Sequence, residues 1–193
     1  MTKELTIIIP AHDRKTKKIP LAILLASLKI MERKNFSVIV LNTTQNPSDQ
    51  FITHIEKLVK KFKKYYPIIQ FNAFDLDRLK KKLKNKWFNQ FHLEGYPNFR
   101  NVALILAVLL KSETVLFLDD DEVTEDKYLT RKAIEYIGKL YKGKVIGGIS
   151  GYYLDQNGSY KVSYSLFKKW WDIPWNKFMY MNRTFKKMIE SKK

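Results

Sequence analysis

Cysteine is absent from the 193-residue sequence. Without it the chain has neither a disulfide framework nor a thiolate metal site, so any metal must be held by oxygen ligands or by the three histidines. Oxygen ligation favours a hard cation such as Mg²⁺ or Mn²⁺.

Long apolar runs are missing as well. The longest apolar stretches, residues 21–28 and 102–110, fall well short of the roughly 20 residues that cross a bilayer. The first four residues lead directly into an apolar strand, without the apolar region and small-residue cleavage site of a secretory signal. These absences predict a cytoplasmic protein that does not span a membrane.

Acidic residues are few compared with basic ones, 19 against 36, which gives a formal net charge of +17. A charge of this size attracts phosphate groups on nucleotides, nucleic acids or anionic membranes, and charge alone does not choose among them. Hydrophobic residues make up 45% of the chain, enough apolar surface for one folded globular domain. A folded protein with an anionic partner is therefore expected.

Strand and helix patterns alternate along the first half of the chain. Residues 5–9, 36–41 and 68–74 are short apolar runs typical of buried strands, whereas residues 19–32 and 48–64 have helical spacing. This alternation predicts an α/β fold with a mostly parallel central sheet flanked by helices.

The second half of the chain is less regular. Several further elements are predicted there: a helix and a loop in residues 75–94, a helix at 99–110, a strand at 114–118, a helix at 126–141, a small β-hairpin with strands at 145–154 and 160–166, and a C-terminal helix at 174–193.

The acidic residues are concentrated directly after the strand at 114–118. Six of the 19 fall within eight consecutive positions, namely Asp119, Asp120, Asp121, Glu122, Glu125 and Asp126. Open α/β sheets bind ligands beyond the carboxyl ends of their strands, and Asp-x-Asp spacing puts two side chains on the same side of an extended segment. The run therefore predicts a Mg²⁺ or Mn²⁺ site. Capping of the next helix explains Glu125 and Asp126 but not Asp119 to Asp121.

A family likeness is carried by residues 6–14 (TIIIPAHDR), 98–103 (NFRNVA) and 115–121 (VLFLDDD), with strands and helices alternating between them. Together these segments resemble the family 2 glycosyltransferases with the GT-A fold, a single Rossmann-like domain. The resemblance covers residues 5–126. It implies a donor-binding part in residues 1–126 and a short acceptor-side part of the same domain in residues 127–193.

The resemblance also implies roles for individual residues. The donor would be a UDP- or GDP-linked sugar, and the acceptor an unknown sugar or lipid. The implied donor-binding residues are Pro10, Ala11, Asp13, Asn42, Asp75, Arg100, Asp119 and Asp120. Asp121 and Asp119 are the implied ligands of Mn²⁺ or Mg²⁺. The family usually ends its second strand in an acidic residue that reads the nucleobase, whereas this chain has Asn42 there, and Asp75 is the alternative base contact.

The acceptor half departs from the family pattern, because the acidic motif that normally supplies the general base is absent. Asp172, in the sequence WWDIPW, is the best candidate for that base, although a helix N-terminal acid among packed aromatics explains it equally well. The basic, aromatic residues 170–193 suit a peripheral contact with an anionic membrane. Core packing or a homodimer contact explains the same pattern.

Two rival functions follow from other features. A basic, non-enzymatic nucleic-acid-binding protein would use the lysines of residues 80–86 with Trp87, Phe88 and Phe91 as stacking residues. The acidic run at the expected ligand site makes nucleic acid the less favoured partner. A sugar-phosphate nucleotidyltransferase ranks last, because residues 10–20 contain no glycine for a phosphate loop.

Overall fold

The computed structural model describes residues 5–13, 20–44, 46–84 and 86–151, together with the single positions 159, 184, 186 and 187. The chain divides into two compact units, Met1–Gly147 and Gly148–Lys193. Within the second unit Thr184, Lys186 and Lys187 are helical. The division of roles between donor and acceptor parts stays a prediction.

The strands and helices of the first unit share the α/β alternation expected from the sequence. In chain order they are Leu5–Ala11 (β1), Leu21–Ser27 (α1), Phe36–Asn42 (β2), Asp49–Phe62 (α2), Ile68–Phe71 (β3), Ala73–Leu83 (α3), Tyr96–Leu109 (α4), Thr114–Phe117 (β4), Leu129–Glu135 (α5), Leu140–Tyr141 (β5) and Lys144–Val145 (β6). Short 3₁₀ turns occupy Leu28–Ile30 and Lys86–Gln90.

The central sheet has four parallel strands in the order β3-β2-β1-β4. This confirms the predicted α/β fold, and the order is that of the first four strands of a Rossmann-like sheet. The chain first builds outward from β1 to β3 and then returns to the other side of β1. Sheets of this kind bind ligands beyond the carboxyl ends of their strands at the point where the order reverses, which here lies between β1 and β4.

Helices cover both faces of the sheet because its central strands are apolar on both faces. All of β2 and all of β1 except Pro10 are buried. Ile7 and Val38 belong to the core shared with α1 and α2, whereas Ile8 and Ile39 belong to the core shared with α3 and α4. The continuous apolar runs of the sequence therefore predicted these strands well, since both side-chain orientations meet a core.

β3 is shorter than predicted. It ends at Phe71 rather than at residue 74, because Asn72 begins α3 with a capping box. The Asn72 side chain accepts a hydrogen bond from the Asp75 amide, and the Asp75 side chain accepts one from the Asn72 amide, both at 3.1 Å. This local pairing stabilises the first turn of the helix and stops the strand.

The helix predicted at 126–141 is also too long, since α5 covers only Leu129–Glu135 and the hairpin β5-β6 follows. Lys142 and Gly143, between the two strands, both have positive φ, 50° and 74°. That is a type I′ turn, and Lys-Gly lacks the Asn-Gly signal that reveals such a turn in a sequence. The predicted small hairpin exists, but earlier in the chain: residues 146–151 are not strand, and the second predicted strand lies outside the described residues.

None of the helices in the described ranges is both long and apolar enough to cross a membrane.

Tyr66 joins the end of α1 to the chain that follows α2. Its side chain is 3% exposed, and its hydroxyl donates a hydrogen bond to the Leu25 carbonyl at 2.7 Å. Leu25 lies in the last turn of α1, where carbonyls lack a partner further along the helix. Burial raises the pKa of the Tyr66 hydroxyl above its ordinary value.

We expect Tyr66→Phe to lower the free energy of unfolding by about 1 kcal/mol at neutral pH, because the Leu25 carbonyl loses its donor. Since the raised pKa keeps the folded hydroxyl neutral, the unfolded chain ionises first as the pH passes 10.0. The contribution of Tyr66 is therefore present below that pH and is lost above it. Urea denaturation should show wild-type stability falling more steeply than that of the variant in this range, and parallel curves would contradict the assignment.

Candidate functional site at the carboxyl edge of the sheet

The carboxyl ends of β1, β2 and β4 meet at one edge of the sheet. The register pairs Ala11 with Asn42, and Ile8 with both Ile39 and Phe117. Because all three strands run in the same direction, the residues that follow them are neighbours at this edge. These are residues 12–13, 43–44 and 118–122.

The segments after β1 and β2 form one hydrogen-bonded unit. The amide and the hydroxyl of Thr43 both donate to the Ala11 carbonyl, at 3.0 and 3.2 Å. The Asp13 amide donates to the Thr44 hydroxyl at 2.7 Å, and the His12 Nδ1 lies 2.7 Å from the Thr43 hydroxyl oxygen. Ala11 and Thr43 are buried, whereas His12 is exposed. The backbone beside Asp13 is therefore held in place before any ligand binds.

Asp13 is also held by the N-terminus of α2. The amide and hydroxyl of Ser48 both donate to the Asp13 Oδ2, each at 2.8 Å, while the same hydroxyl accepts from the Phe51 amide at 3.2 Å. Ser48 thus caps α2 and orients the Asp13 carboxylate near the positive end of the helix dipole. The sequence predicted Ser48 as a helix cap and Asp13 as a contact of the nucleotide-sugar donor. It did not predict the hydrogen bonds that link these two residues across 35 positions.

Asn42 is only 2% exposed at the end of β2. Its side-chain oxygen accepts a hydrogen bond from the Thr44 amide at 3.1 Å, which is an Asx-type turn. Asn42 therefore shapes the loop next to Ala11, and its role as a base contact stays a prediction. Pro10, half-buried, is the residue of β1 that precedes Ala11 at the same edge.

The acidic segment begins directly where β4 ends. The Leu118 amide donates to the Ile8 carbonyl of β1 at 3.1 Å, which extends the pairing by one residue. Asp119 and Asp121 are exposed, whereas Asp120 between them is 3% exposed. The exposure thus alternates, but Asp120 and Asp121 lie in a turn rather than in an extended segment, so a shared side for the first and third carboxylates stays a prediction.

Glu122 closes a tight turn on Asp119. The Glu122 amide donates to the Asp119 carbonyl at 3.1 Å, and the Asp119 amide donates to the Glu122 carboxylate at 3.0 Å. Burial raises the pKa of the Glu122 carboxyl, and the charges of Asp119 and Asp121 raise it further against the opposing hydrogen bond. Negative charge is therefore concentrated at this turn, where a bound cation would relieve the repulsion.

Asp126, at the other end of the acidic segment, has a structural role. Its carboxylate accepts from the Tyr128 amide at 2.9 Å and from the Lys132 Nζ at 2.6 Å. The hydrogen bond from Lys132 is the main reason that the Asp126 pKa is lowered. Asp126 thus forms an Asx-type turn and an ion pair just before α5, whose N-cap Tyr128 has no side-chain capping hydrogen bond. The expected helix capping by Asp126 is therefore wrong, and its structural role does not extend to the exposed carboxylates after β4.

A positive group lies at the carboxyl end of the same strand. The Arg100 Cζ is 4.4 Å from the centroid of the Phe117 ring and 4.2 Å from that of Tyr96, and its Nη2 donates to the Tyr96 hydroxyl. The Arg100 Nε is buried and has no hydrogen-bond partner among the described residues. Gly95, with φ of 77°, starts α4 and so places Arg100 in its first turns. Two aromatic contacts thus hold the guanidinium against the last residue of β4.

The carboxylate oxygens of the acidic turn are ligands of the kind that suits a hard cation whose remaining ligands come from a substrate. In the part of the chain that the structure describes, no group of three or more His, Cys, Asp or Glu side chains is arranged to hold a metal. Mg²⁺ sites in phosphate-using enzymes normally take one or two carboxylates, with phosphate oxygens and water as the other ligands. The exposed Asp119 and Asp121 fit the protein half of such a site.

One predicted site residue, Asp75, lies apart from this arrangement. Asp75 follows β3, which β2 separates from β1, and its carboxylate takes part in the capping box of α3. Its contact with a nucleobase stays a prediction. Asp172, the proposed general base, lies outside the described residues.

No protein-family model and no curated protein sequence matches the chain. Among solved structures it is similar to the crystal structure of S. aureus TarS 1-349, at 23% identity over 70% of this chain and 32% of that chain, with a TM-score of 0.45. A second crystal structure of S. aureus TarS matches at 25% identity over 69% of this chain and 19% of that one, with a TM-score of 0.41. The chain thus spans a third or less of these proteins, and a likeness with such low TM-scores carries no functional argument.

We expect Glu122→Gln to raise the free energy of unfolding at neutral pH by a fraction of a kcal/mol, because it removes one charge from a partly screened cluster. The amide oxygen can still accept from the Asp119 amide. Since the folded state raises the Glu122 pKa, wild type recovers this stability as the pH falls and the carboxyl takes up its proton.

The gain should therefore vanish below about pH 4, where the carboxyl is neutral in both states. Urea denaturation of wild type and variant at both pH values measures it. Glu125→Gln, at an exposed position of the same segment, is the matched control. An equal gain in the control, or a gain that persists in acid, would contradict the explanation.

Proposed function

We propose that this chain is a glycosyltransferase that uses a nucleoside-diphosphate sugar as donor, with Asp119 and Asp121 as ligands of Mn²⁺ or Mg²⁺. The observation that carries the proposal is the pair of exposed carboxylates directly after β4, at the point where the sheet order reverses. The position of Arg100 against Phe117 supports it, and so does the resemblance of residues 6–14, 98–103 and 115–121 to family 2 glycosyltransferases.

The nucleoside part of the donor would bind over the segments after β1 and β2. Half-buried Pro10 would provide an apolar contact there beside Ala11, which is itself buried, and Asp13 is an oriented hydrogen-bond acceptor for a ribose hydroxyl or a base. Asn42 takes the position where the family usually has an acidic residue. UDP and GDP are both candidate nucleotides, because an amide can donate as well as accept.

The diphosphate would then lie towards β4, between Arg100 and the acidic turn. Transfer breaks the bond between the anomeric carbon and a diphosphate oxygen, so negative charge grows on the leaving group while the sugar becomes oxocarbenium-like. A divalent cation, when bound, supplies Lewis-acid neutralisation of that charge. Arg100 offers a permanent positive charge, and its Nε is a donor without a partner among the described residues. Asp172 is the residue that we propose takes the proton of the sugar or lipid acceptor.

A basic nucleic-acid-binding protein is the alternative. Phe74 and Trp87 are 69% and 64% exposed, and each has a cation near its ring, Arg78 at 5.8 Å and Lys86 at 5.9 Å. Exposed aromatic rings beside cations suit stacking on single-stranded bases. This alternative assigns no role to the acidic turn, and for that reason we rank it second.

Thermal unfolding with UDP, GDP and their sugar conjugates, each with and without Mn²⁺, tests the proposal. One nucleotide at about 100 times its Kd should stabilise wild type by about 2.7 kcal/mol, and only with the metal. Asp121→Ala should lose this stabilisation, whereas Glu125→Ala, the control within the same acidic segment, should keep it. Absence of any nucleotide effect, together with oligonucleotide affinity that falls steeply with salt, would replace the transferase with the nucleic-acid binder.

Arg100 gives a second test, on turnover rather than binding. We expect Arg100→Ala to lower kcat for sugar release from the donor by about 10²-fold, because charge on the leaving diphosphate loses a prearranged partner. Arg100→Lys should restore only part of this loss, since an ammonium cannot reproduce the planar guanidinium between two rings. Arg78→Ala on α3 is the control. Unchanged kcat in Arg100→Ala would remove Arg100 from the mechanism.

A further inference from the structure

The hairpin formed by β5 and β6 exposes apolar side chains on both of its faces. Leu140 is 73% exposed and its register partner Val145 is 66% exposed, while Tyr141 on the opposite face is 63% exposed. Tyr136, just before the hairpin, is 50% exposed. A two-stranded hairpin is at best marginally stable in water by itself, so a partner that covers these side chains would stabilise it.

The backbone of the hairpin is well defined despite this exposure. The type I′ turn at Lys142 and Gly143 matches the twist of the two strands. Two further hydrogen bonds continue the ladder beyond the strands: the Gly138 amide donates to the Ile146 carbonyl at 2.8 Å, and the Ile146 amide donates to the Lys139 carbonyl at 2.9 Å. The hairpin is thus a distinct structural element with lysine at its tip.

The charge on this element is of one sign. Lys139, Lys142 and Lys144 are all exposed, and no acidic residue occurs from residue 136 to residue 154. The Nζ of Lys139 lies 5.4 Å from the Tyr136 ring, and that of Lys142 lies 5.4 Å from the Tyr141 ring. Lysine and tyrosine share an apolar body and a polar tip, so such pairs can bury their stems while their polar ends stay hydrated.

We propose that the β5-β6 hairpin is a docking element for an anionic lipid surface. Tyrosine, leucine and valine suit the boundary between headgroups and acyl chains, and lysines gain energy near anionic headgroups. Nucleic acid would satisfy the lysines but would leave Leu140 and Val145 uncovered. A protein partner would need an acidic surface rich in apolar groups, whereas an anionic membrane supplies both properties at once. The proposal is independent of the donor chemistry, and it concerns a different segment from the basic residues 170–193.

Sedimentation with vesicles of phosphatidylcholine alone, or mixed with phosphatidylglycerol, tests the proposal. We expect binding to the mixed vesicles only. The double variant Leu140→Ser, Val145→Ser should bind about tenfold more weakly, since two side chains no longer enter the interface. The double variant Lys139→Gln, Lys144→Gln should have an affinity for the mixed vesicles that is lower by about fivefold for each lysine removed.

Matched controls separate the hairpin from the general positive charge of the chain. Ile23→Ser removes a side chain that is 60% exposed on α1, and Lys81→Gln with Lys82→Gln removes two exposed lysines from α3. Both controls should bind the mixed vesicles nearly as well as wild type. Circular dichroism checks that every variant is folded. If hairpin and control variants lose affinity equally, or if none loses any, the hairpin is not the docking element.

The absence of native cysteine allows a direct test of location. A polarity-sensitive fluorophore on Leu140→Cys should report an aqueous environment in free protein and an apolar one with mixed vesicles. The same label on Ile23→Cys should stay aqueous throughout. An aqueous signal at residue 140 in vesicle-bound protein would overturn the proposal. An apolar signal without vesicles would also overturn the proposal. If that signal grows with protein concentration, a second copy of the chain covers residue 140. If the signal does not depend on concentration, another part of the same chain covers it.

Discussion

The parallel pairing of β1 with β2 on one side and β4 on the other is the constraint on which the rest of the structure depends. Both central strands are apolar on both faces, so helices must cover both sides of the sheet and each crossover returns the chain to the same end. The loops after three strands consequently meet at one edge. Arg100 and Asp13 reach that edge by different routes, one from a helix packed on β4 and the other from a loop fixed to Ser48.

The acidic residues of the segment after β4 differ in their electrostatic environments, as the pKa shifts of Asp126 and Glu122 indicate. Asp126 has a lowered pKa because Lys132 donates a hydrogen bond to it, whereas Glu122 has a raised pKa because it is partly buried beside like charges. Neighbouring acids in the sequence thus experience opposite environments. Negative charge concentrated at a sheet edge suited to ligands, in a chain of net charge +17, is the property that the proposed divalent cation would neutralise.

Sequence patterns predicted the bounds of β1, β2 and β4 closely, because each is a short apolar run that contains β-branched residues. β1 and β2 are buried as expected, whereas β4 is only half-buried. After residue 126 the sequence patterns placed a helix where one occurs, but they extended it to residue 141 instead of Glu135. The apolar residues from Ile134 to Tyr141 have a spacing that suits a helix, and the Lys-Gly turn carries no strong signal. They also made β3 too long, since the cap at Asn72 depends on a side-chain hydrogen bond rather than on hydrophobicity.

The sequence by itself determined the α/β class, the helix cap at Ser48 and the acidic run after a strand, since all three are set by residues close together in the chain. Tertiary structure alone decided that Ser48 orients Asp13, that Arg100 lies between two rings at the end of β4, and that Leu140 and Val145 share an exposed face. The physical reason is that local periodicity encodes which side of each segment is buried, whereas distances between remote residues follow from strand order and register.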